Sequence, residues 1–420
     1  MQIRNLLFLS IVTGIITGIF IVIYGLLTEF LKHVLFFGDP IESISKLPAW
    51  YVVLVPVVSI LIVNFLISIS ESVKEYGVGE IAEAVIQNRL VFGFKDLILK
   101  IIASSLSLAS GFAVGNEGPS AAIGAMIASK LHPIFKLPKD LLRVSISIGA
   151  SSGIAAIFVS PVTGIMFAIE NIAYNFVRDY VGYLIIAGAL GFSVAFYFLE
   201  PLIFKYSIGK FLEYRYIFAS LLFIPIITFY IYFYLWLKNK VLKFLNFKIS
   251  EKFQKYKNYI FGLTGGVIIG MILLISPFAA FSGHEVVEYL INGKFHLSFS
   301  LIFLIIVLRI IATAVSIYAN AVGGIFIALM SIGALVGYGF GELLSMYGIN
   351  VEPFYFAAIG AAVFMGVNMK LPLTAVVVAL EITYDYNVIV PTAIMVTIVS
   401  YLISLKFELH KLHFKLGVSG

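Results

Sequence analysis

The sequence lacks cysteine altogether and contains little charge. Of its 420 residues, 12% are charged and 61% are hydrophobic, whereas ordinary soluble domains carry about 25% charged residues. Without cysteine there can be no disulfide, thiolate metal site or cysteine nucleophile. The six histidines are scattered, and His284 opens a His-Glu-Val-Val-Glu run that lacks the second histidine of a zinc-protease helix. We therefore expect no metal site and no cofactor. We also expect a chain too apolar to fold as a water-soluble protein.

Long apolar stretches recur along the whole sequence. A membrane-spanning helix needs about 20 apolar residues, and stretches near that length are found at Leu6–Leu27, Tyr51–Ile69, Tyr216–Leu237, Tyr259–Ile275 and Phe299–Ala319. The first has no small-residue cleavage site, so we expect a retained helix rather than a signal peptide. Other segments are too short or too rich in glycine to span alone, which predicts half-spanning helices beside a cavity: Ile81–Ile86, Ala121–Leu131 and Phe354–Val367. The sequence predicts an all-α, multi-pass protein of the cell or inner membrane, in contact with lipid.

The net charge of +6 is concentrated in two lysine-rich segments. One linker contains the single acid Glu251 among seven lysines, at positions 238, 240, 243, 248, 252, 255 and 257. The other segment follows the last apolar stretch and contains Lys406, Lys411 and Lys415. Because lysines accumulate on the cytoplasmic side of membrane proteins, we expect the linker and the C-terminus to be cytoplasmic. This topological role explains the lysines without a nucleic-acid partner.

Two motifs occur twice, half a chain apart. Their copies are Ile123-Gly124-Ala125 with Ile332-Gly333-Ala334, and Pro161-Val162-Thr163 through Glu170 with Pro372-Leu373-Thr374 through Glu381. The shifts are 209 and 211 residues. Paired repeats with interrupted helices are typical of transporters, whose binding site lies where the repeats meet. We expect residues 1–205 and 206–420 to form the two halves, with no appended cytoplasmic domain.

A glycine break in the first half has the chemistry of an anion site. In Gly115-Asn116-Glu117-Gly118-Pro119, proline suits a first helical turn, so we expect a helix to begin at Glu117. The free N–H groups and positive dipole end of a helix N-terminus bind anions. An ionised Glu117 can occupy that site, and a protonated Glu117 can leave it to a permeant anion, which would couple protons to anions. A purely structural capping role for Glu117 is the alternative.

Three further segments have related features. The break Gly323-Gly324-Ile325-Phe326 precedes an apolar helix, Ala328–Gly337, and offers backbone donors without added charge. A third glycine break, Glu75–Ile81, contains Tyr76 and Gly77. The phenol of Tyr386 can donate a hydrogen bond to an anion, although a lone tyrosine near a helix end is often an interface-belt residue.

In their order and spacing these motifs resemble the CLC family of chloride channels and proton-coupled chloride antiporters, from about Glu75 to Pro391. The first block looks like the family's Gly-(Arg/Lys)-Glu-Gly-Pro, and Gly164 through Glu170 looks like its Gly-x-x-Phe-x-x-Glu helix. Gly323 through Phe326 looks like its Gly-x-Phe-x-Pro block, and Leu371 through Tyr386 looks like the stretch that ends in its anion-binding tyrosine.

The resemblance implies a CLC-type inverted-repeat fold with interrupted and half-spanning helices, and a homodimer with one pore per subunit. It implies that Glu117 is the gating glutamate and that the Tyr386 hydroxyl binds an inner anion. The outer anion would be bound by the backbone N–H groups of Asn116, Glu117, Gly118, Ile325, Phe326 and Ile327. Glu170 and Asn171 occupy the positions through which antiporters of the family receive protons from the cytoplasm.

The sequence departs from the family pattern at several of these positions. Tyr76 replaces the chloride-coordinating serine next to Gly77, and Gly79 replaces the proline of the same motif. Asn171 replaces a second glutamate and cannot titrate. Two other departures are Asn116, in place of a basic residue, and Ile327-Ala328 after Phe326, where the family's proline is missing. Asn116 makes the outer entrance of the expected pore less positive. A helix can still begin after Phe326 without the proline.

We therefore expect a transporter of halide anions, chloride in exchange for protons, and not an enzyme. Three alternatives stay open at this point: a fluoride/proton antiporter of the same family, a passive chloride channel, and a sodium-coupled solute carrier. A membrane hydrolase would need a nucleophile such as Ser151 or Ser152 of Ser-Ser-Gly. Ala150 stands where such a motif has glycine, and no histidine lies in a matching helix.

Overall fold

The computed structural model of the chain describes residues 2–74, 78–87, 93–173, 179–201, 203, 204, 206, 213–246, 251–291 and 298–416. These residues form helices joined by short turns, with one isolated β-bridge between Gly115 and Gly324. In chain order the α-helices are α1 (Gln2–Phe36), α2 (Pro40–Ser43), α3 (Ala49–Ile69), α4 (Val78–Gln87), α5 (Phe94–Ala109), α6 (Glu117–Ile134), α7 (Leu142–Phe158), α8 (Pro161–Ala168), α9 (Val181–Ala195), α10 (Tyr214–Leu245), α11 (Lys257–Ile275), α12 (His284–Ile291), α13 (Phe299–Tyr318), α14 (Phe326–Met346), α15 (Pro353–Met369), α16 (Pro372–Thr383) and α17 (Ile389–Leu416).

Eight helical segments within the described ranges are long and apolar enough to cross a membrane. They contain α1, α3, α10, α11 and α13, which coincide with the five long stretches predicted from the sequence. Shorter apolar helices lie between them: α8, α9, α15 and α16. The mixture of full-length and short helices is the interrupted architecture that the glycine and proline breaks predicted. The protein is an integral, multi-pass, helical membrane protein.

Corresponding helices pack in corresponding ways through glycine. A Cβ atom on Gly124 of α6 would meet the carbonyl of Gly149 on α7, and one on Gly333 of α14 would meet the carbonyl of Gly360 on α15. Small residues allow helix backbones to approach this closely in a membrane. The repeated Ile-Gly-Ala motif therefore marks the same helix–helix contact in each repeat.

Hydrogen bonds between the repeats occur in reciprocal pairs. The Ser107 Oγ of α5 accepts from the Val322 N–H at 3.0 Å, and the Ser316 Oγ of α13 accepts from the Ala113 N–H at 2.9 Å. The donor and the acceptor of the first bond each have a counterpart 209 positions away in the second. Reciprocal contacts of this kind are what a twofold axis between two similar units requires. The two repeats therefore face each other through equivalent surfaces.

Candidate anion site

The N-termini of α6 and α14 meet at the axis between the repeats. The Gly115 N–H donates to the Gly324 carbonyl at 2.6 Å, and the Gly324 N–H donates to the Gly115 carbonyl at 2.7 Å. Two residues after each glycine a helix begins, α6 at Glu117 as predicted and α14 at Phe326, two residues before the predicted Ala328. Since first-turn N–H groups have no partner within their helix, donors from both repeats are brought to one place.

The carboxylate of Glu117 occupies the space between these helix ends. Glu117 is only 1% exposed, and its Oε1 accepts a hydrogen bond from the backbone N–H of Phe326, at the start of α14. No described group bonds its other oxygen, Oε2. A Cβ atom on either Gly115 or Gly324 would collide with this carboxylate. The glycines are therefore needed both for the backbone bridge and for the volume of the carboxylate.

Most of the predicted anion-site residues are brought together here. Asn116, Glu117 and Gly118 lie at the start of α6, opposite Ile325, Phe326 and Ile327 at the start of α14. The Oδ1 atom of Asn116 is buried and has no partner among the described residues. The predicted Tyr76 and Gly77 lie outside the described residues.

A cavity of about 350 Å³ leads from these helix ends towards the surface. Asn116, Phe326 and Ile327 line its inner part, and the aromatic ring of Phe158 lies 4.7 Å from that of Phe326. This volume is sufficient for a small ion with several water molecules, because a water molecule occupies about 30 Å³ in the liquid. The sequence analysis did not include Phe158, which becomes recognisable only once α7 and α14 pack together.

Charged residues that the sequence analysis did not identify line the outer part of the cavity. The Lys32 ammonium lies 2.7 Å from a carboxylate oxygen of Glu29 and 2.7 Å from one of Glu285. Glu285 belongs to α12, outside the spanning helices, and also accepts from the Ser282 hydroxyl at 3.1 Å. Burial would raise the pKa of Glu285, but the neighbouring Lys32 lowers that pKa to about 2. Because these residues are 253 positions apart, no local motif connects Lys32 with Glu285.

Glu170, predicted as a proton-transfer residue, caps the N-terminus of α16. Its Oε1 accepts from the Leu373 N–H at 3.0 Å, and its Oε2 accepts from the N–H and the hydroxyl of Thr374 at 2.8 and 2.7 Å. These three bonds hold the Glu170 carboxylate against the start of α16. The predicted Asn171 follows in a π-helical turn, Ile169–Ala173, at the end of α8.

Glu381 has the equivalent role at the other helix. It lies near the end of α16 and caps the N-terminus of α8, where it accepts from the Thr163 N–H at 2.6 Å, from the Val162 N–H at 3.1 Å and from the Ser160 hydroxyl. Both Glu381 and Ser160 line the cavity beside Phe326. The N-terminus of α8 therefore lies at the cavity. Glu170 follows the C-terminus of α8, so it lies at the end of this helix that points away from the cavity.

The structure does not bring Tyr386 to the site. This residue is 78% exposed in the turn Tyr386–Val388 between α16 and α17, and it is not part of the cavity lining. Glu381, five residues earlier, lines the cavity, whereas the 28-residue α17 runs from the Tyr386 turn to the lysine-rich C-terminus. If that terminus is cytoplasmic, Tyr386 lies on the other face. The role of the Tyr386 hydroxyl as an inner anion ligand therefore gains no support from this geometry and stays a prediction.

The serines considered for a hydrolase lie within helix packing. The Ser151 hydroxyl donates to the Leu184 carbonyl at 3.4 Å, and the Ser152 hydroxyl donates to the Gly14 carbonyl at 3.4 Å. Both residues are completely buried in α7. Their contacts are with the backbones of α9 and α1, as expected of hydroxyls that bind helices together.

These features define a class: multi-pass membrane proteins in which two related repeats meet helix end to helix end around a buried carboxylate. The profile of the family described as "Voltage gated chloride channel" matches residues 55–405. The chain belongs to this voltage gated chloride channel family.

Curated relatives with sequence similarity are bacterial exchangers. The chain is 27% identical over 337 residues to the "H(+)/Cl(-) exchange transporter ClcA" of Salmonella typhi, and the match covers 76% of this chain and 68% of the relative. The relative of the same name from Salmonella typhimurium gives the same values.

Solved structures show the same fold. A slow cyanobacterial Cl-/H+ antiporter superposes with a TM-score of 0.82 at 20% identity, over 94% of this chain and 93% of that one. A CLC-type fluoride/proton antiporter superposes with a TM-score of 0.76 at 17% identity, over 96% and 95% of the two chains. The predicted CLC-type inverted-repeat fold is therefore confirmed.

Proposed function

We propose that the protein exchanges chloride for protons across the membrane, with Glu117 as the gating glutamate. The observation that carries the proposal is the position of the Glu117 carboxylate, buried between the helix N-termini of both repeats and bonded to the Phe326 N–H. The curated relatives named as H(+)/Cl(-) exchangers support the same choice of ions.

The gating step follows from the competition of two anions for the same donors. An ionised Glu117 carboxylate satisfies the Phe326 N–H and excludes chloride from the helix ends. Protonation removes the negative charge and weakens this bond, so the side chain can leave and chloride can bind to the vacated N–H groups. The donors available there are those of Asn116, Glu117, Gly118, Ile325, Phe326 and Ile327. Glu117 then releases its proton to the side opposite the one from which the proton came. The ionised carboxylate returns and displaces chloride, so each cycle moves protons and chloride in opposite directions.

A passive chloride channel is the second candidate, and Glu170 is the reason to keep it. The three hydrogen bonds from Leu373 and Thr374 engage its carboxylate as the cap of α16, so the carboxylate is not free to move towards Glu117. The adjacent Asn171 has an amide, which cannot titrate. In this candidate, protons would reach Glu117 from the cavity side only, and anion flow would not drive proton movement.

The arrangement in the membrane is part of the same proposal. The cavity opens on the face of the Tyr386 turn, and the lysine-rich C-terminus follows at the far end of α17. With lysines on the cytoplasmic side, the cavity becomes an external vestibule. The proposal includes a homodimer with one pore per subunit in the cell or inner membrane, and halves formed by residues 1–205 and 206–420.

The test uses purified protein in liposomes loaded with potassium chloride or with potassium fluoride. Anion efflux and internal pH are followed together for the wild type, for Glu117→Gln and for Glu71→Gln, an exposed glutamate that serves as the control. For a chloride/proton exchanger, chloride efflux drives proton uptake against a gradient. The Glu117→Gln variant then retains chloride flux and loses proton movement, while Glu71→Gln behaves as the wild type.

The other outcomes identify the other candidates. Chloride efflux without proton movement in the wild type would indicate the passive channel. Faster coupled efflux from the fluoride-loaded liposomes would indicate that the protein exchanges fluoride, rather than chloride, for protons. Flux that appears only with sodium would indicate a sodium-coupled carrier and contradict the proposal.

A further inference from the structure

The last turns of α10 extend beyond the membrane and carry positive charge without an acidic neighbour in the sequence of this segment. A helix of 32 residues is about 48 Å long, whereas the hydrocarbon core is about 30 Å thick. Lys240 and Lys243 are exposed near its C-terminal end, and no acidic residue occurs from position 236 to position 250. This end of α10 therefore lies at the level of lipid headgroups and attracts anions.

An apolar groove of about 370 Å³ lies beside this charge. Its walls come from α10, α11 and α13, and its lining residues are Trp236, Leu237, Lys240, Val241, Phe244, Leu245, Ile268, Ile311 and Val315. Trp236 is 55% exposed and Phe244 is 85% exposed, so the groove is open at the surface of the protein. Lys240 is the one charged side chain among its lining residues.

Lys240 connects the positive charge at the end of α10 with the apolar groove. Its ammonium lies 4.8 Å from the centre of the Trp236 ring, at the edge of the groove. An ammonium has three N–H donors, so the contact with the ring leaves donors for a second, anionic partner. Lys243 lies three residues further on, on the same side of the helix. The apolar cleft therefore has one cation, Lys240, in its lining, and a second, Lys243, about one helical turn further along α10.

We propose that this groove, called the α10 groove below, binds an anionic phospholipid. One acyl chain lies against Val241, Ile268 and Val315, and the phosphate is bound by Lys240 and Lys243. A soluble phosphate would leave the apolar walls without a partner. A zwitterionic lipid would add its own cation beside the lysines. Anionic lipids are concentrated on the cytoplasmic side of membranes, the side on which the lysine-rich linker is expected.

Native mass spectrometry of the purified full-length protein, with equal amounts of phosphatidylglycerol and phosphatidylcholine, tests this proposal. We expect the wild type to retain phosphatidylglycerol at least threefold more often. The double variant Lys240→Gln with Lys243→Gln should lose this preference. The control Lys46→Gln with Lys95→Gln removes the same charge from exposed sites elsewhere and should keep it.

A second variant separates the groove from the charge. Val241→Phe fills the α10 groove without altering any charge, and we expect it to lose the bound phosphatidylglycerol as the lysine double variant does. Retention by Val241→Phe would reduce the effect to surface charge and overturn the proposal. Equal retention of the two lipids by the wild type, or equally tight binding of free glycerol phosphate, would also overturn it.

Discussion

Glu170 and Glu381 cap the N-terminus of each other's helix. Glu170, just after the end of α8, accepts from Leu373 and Thr374 at the start of α16, and Glu381, near the end of α16, accepts from Val162 and Thr163 at the start of α8. The two helices therefore run in opposite directions and are joined at both ends. Since the removal of either carboxylate leaves the donors at the start of the helix that it caps without their partner, each glutamate is important for stability.

We expect Glu170→Ala and Glu381→Ala each to lower the free energy of unfolding by about 0.5–2 kcal/mol, the usual cost of removing a side chain that caps a helix N-terminus. Thermal unfolding in detergent, followed by intrinsic fluorescence, measures the change. Glu352→Ala is the matched control, because Glu352 stands at the N-cap of α15 and its side chain makes no capping bond. Similar midpoints for all three variants would contradict the capping role.

We also expect Glu170→Gln to retain the wild-type ratio of protons to anions.

The glycine beside the Glu117 carboxylate provides a second prediction. In Gly324→Ala the new methyl group takes the position of the Glu117 Oε1 atom, so we expect the carboxylate to lose its bond to Phe326. Anion flux should persist, and the number of protons moved per anion should fall, as in Glu117→Gln. Gly182→Ala is the control, since nothing lies within 4 Å of a Cβ atom there. Unchanged coupling in Gly324→Ala would show that the carboxylate does not need this space.

A third prediction concerns pH and the ion pair at the cavity mouth. Lys32 lowers the pKa of Glu285 to about 2, below the value of about 4.3 expected for an unfolded chain. The stabilisation is therefore fully present above about pH 4.3 and decreases as the pH falls towards 2. We expect Glu285→Gln to lower the unfolding midpoint at pH 6 and to make it less dependent on pH between about 5 and 3. Parallel curves for the variant and the wild type would contradict this account.

The fourth prediction concerns long-range attraction of the anion. Asn116 lines the cavity at the helix ends, and its Oδ1 atom has no partner among the described groups. We expect Asn116→Lys to lower the KM for chloride a few-fold at low ionic strength, with little effect at high ionic strength, because salt screens the added charge. Initial efflux rates at several chloride concentrations measure this. A change that persists at high salt would indicate direct contact instead.

Local sequence signals were sufficient for the helices and for part of the site. Gly115 and Gly324 indicated the two breaks, and Pro119 correctly predicted the start of α6 at Glu117. These predictions succeed because backbone freedom at glycine and the missing N–H of proline act within a few residues. The start of α14 was placed two residues late, since no proline marks it.

The contacts between the repeats could not be predicted from local pattern. Lys32 and Glu285 are 253 residues apart, and Ser107 bonds a backbone group 215 residues away. A serine in an apolar helix has the same local pattern whether it bonds its own helix or another repeat. The shift between the repeats was a usable signal, because Ser107 and Ser316 differ by the same 209 residues as the two Ile-Gly-Ala motifs. The exposure of Tyr386 was not predicted, because a tyrosine near a helix end has the same local pattern whether or not its hydroxyl faces the site.

The reciprocal bonds between the repeats also determine when the protein can be completed during its synthesis. The bond between Ser107 and Val322 and the bond between Ala113 and Ser316 can form only after the second residue of each pair has been synthesised. At about 5–20 residues per second, the roughly 200 intervening residues take about 10–40 s to translate. For that time the first repeat stays in the bilayer without the hydrogen bonds that the second repeat will supply. The chain is therefore most exposed to misfolding in the interval between the synthesis of the two repeats.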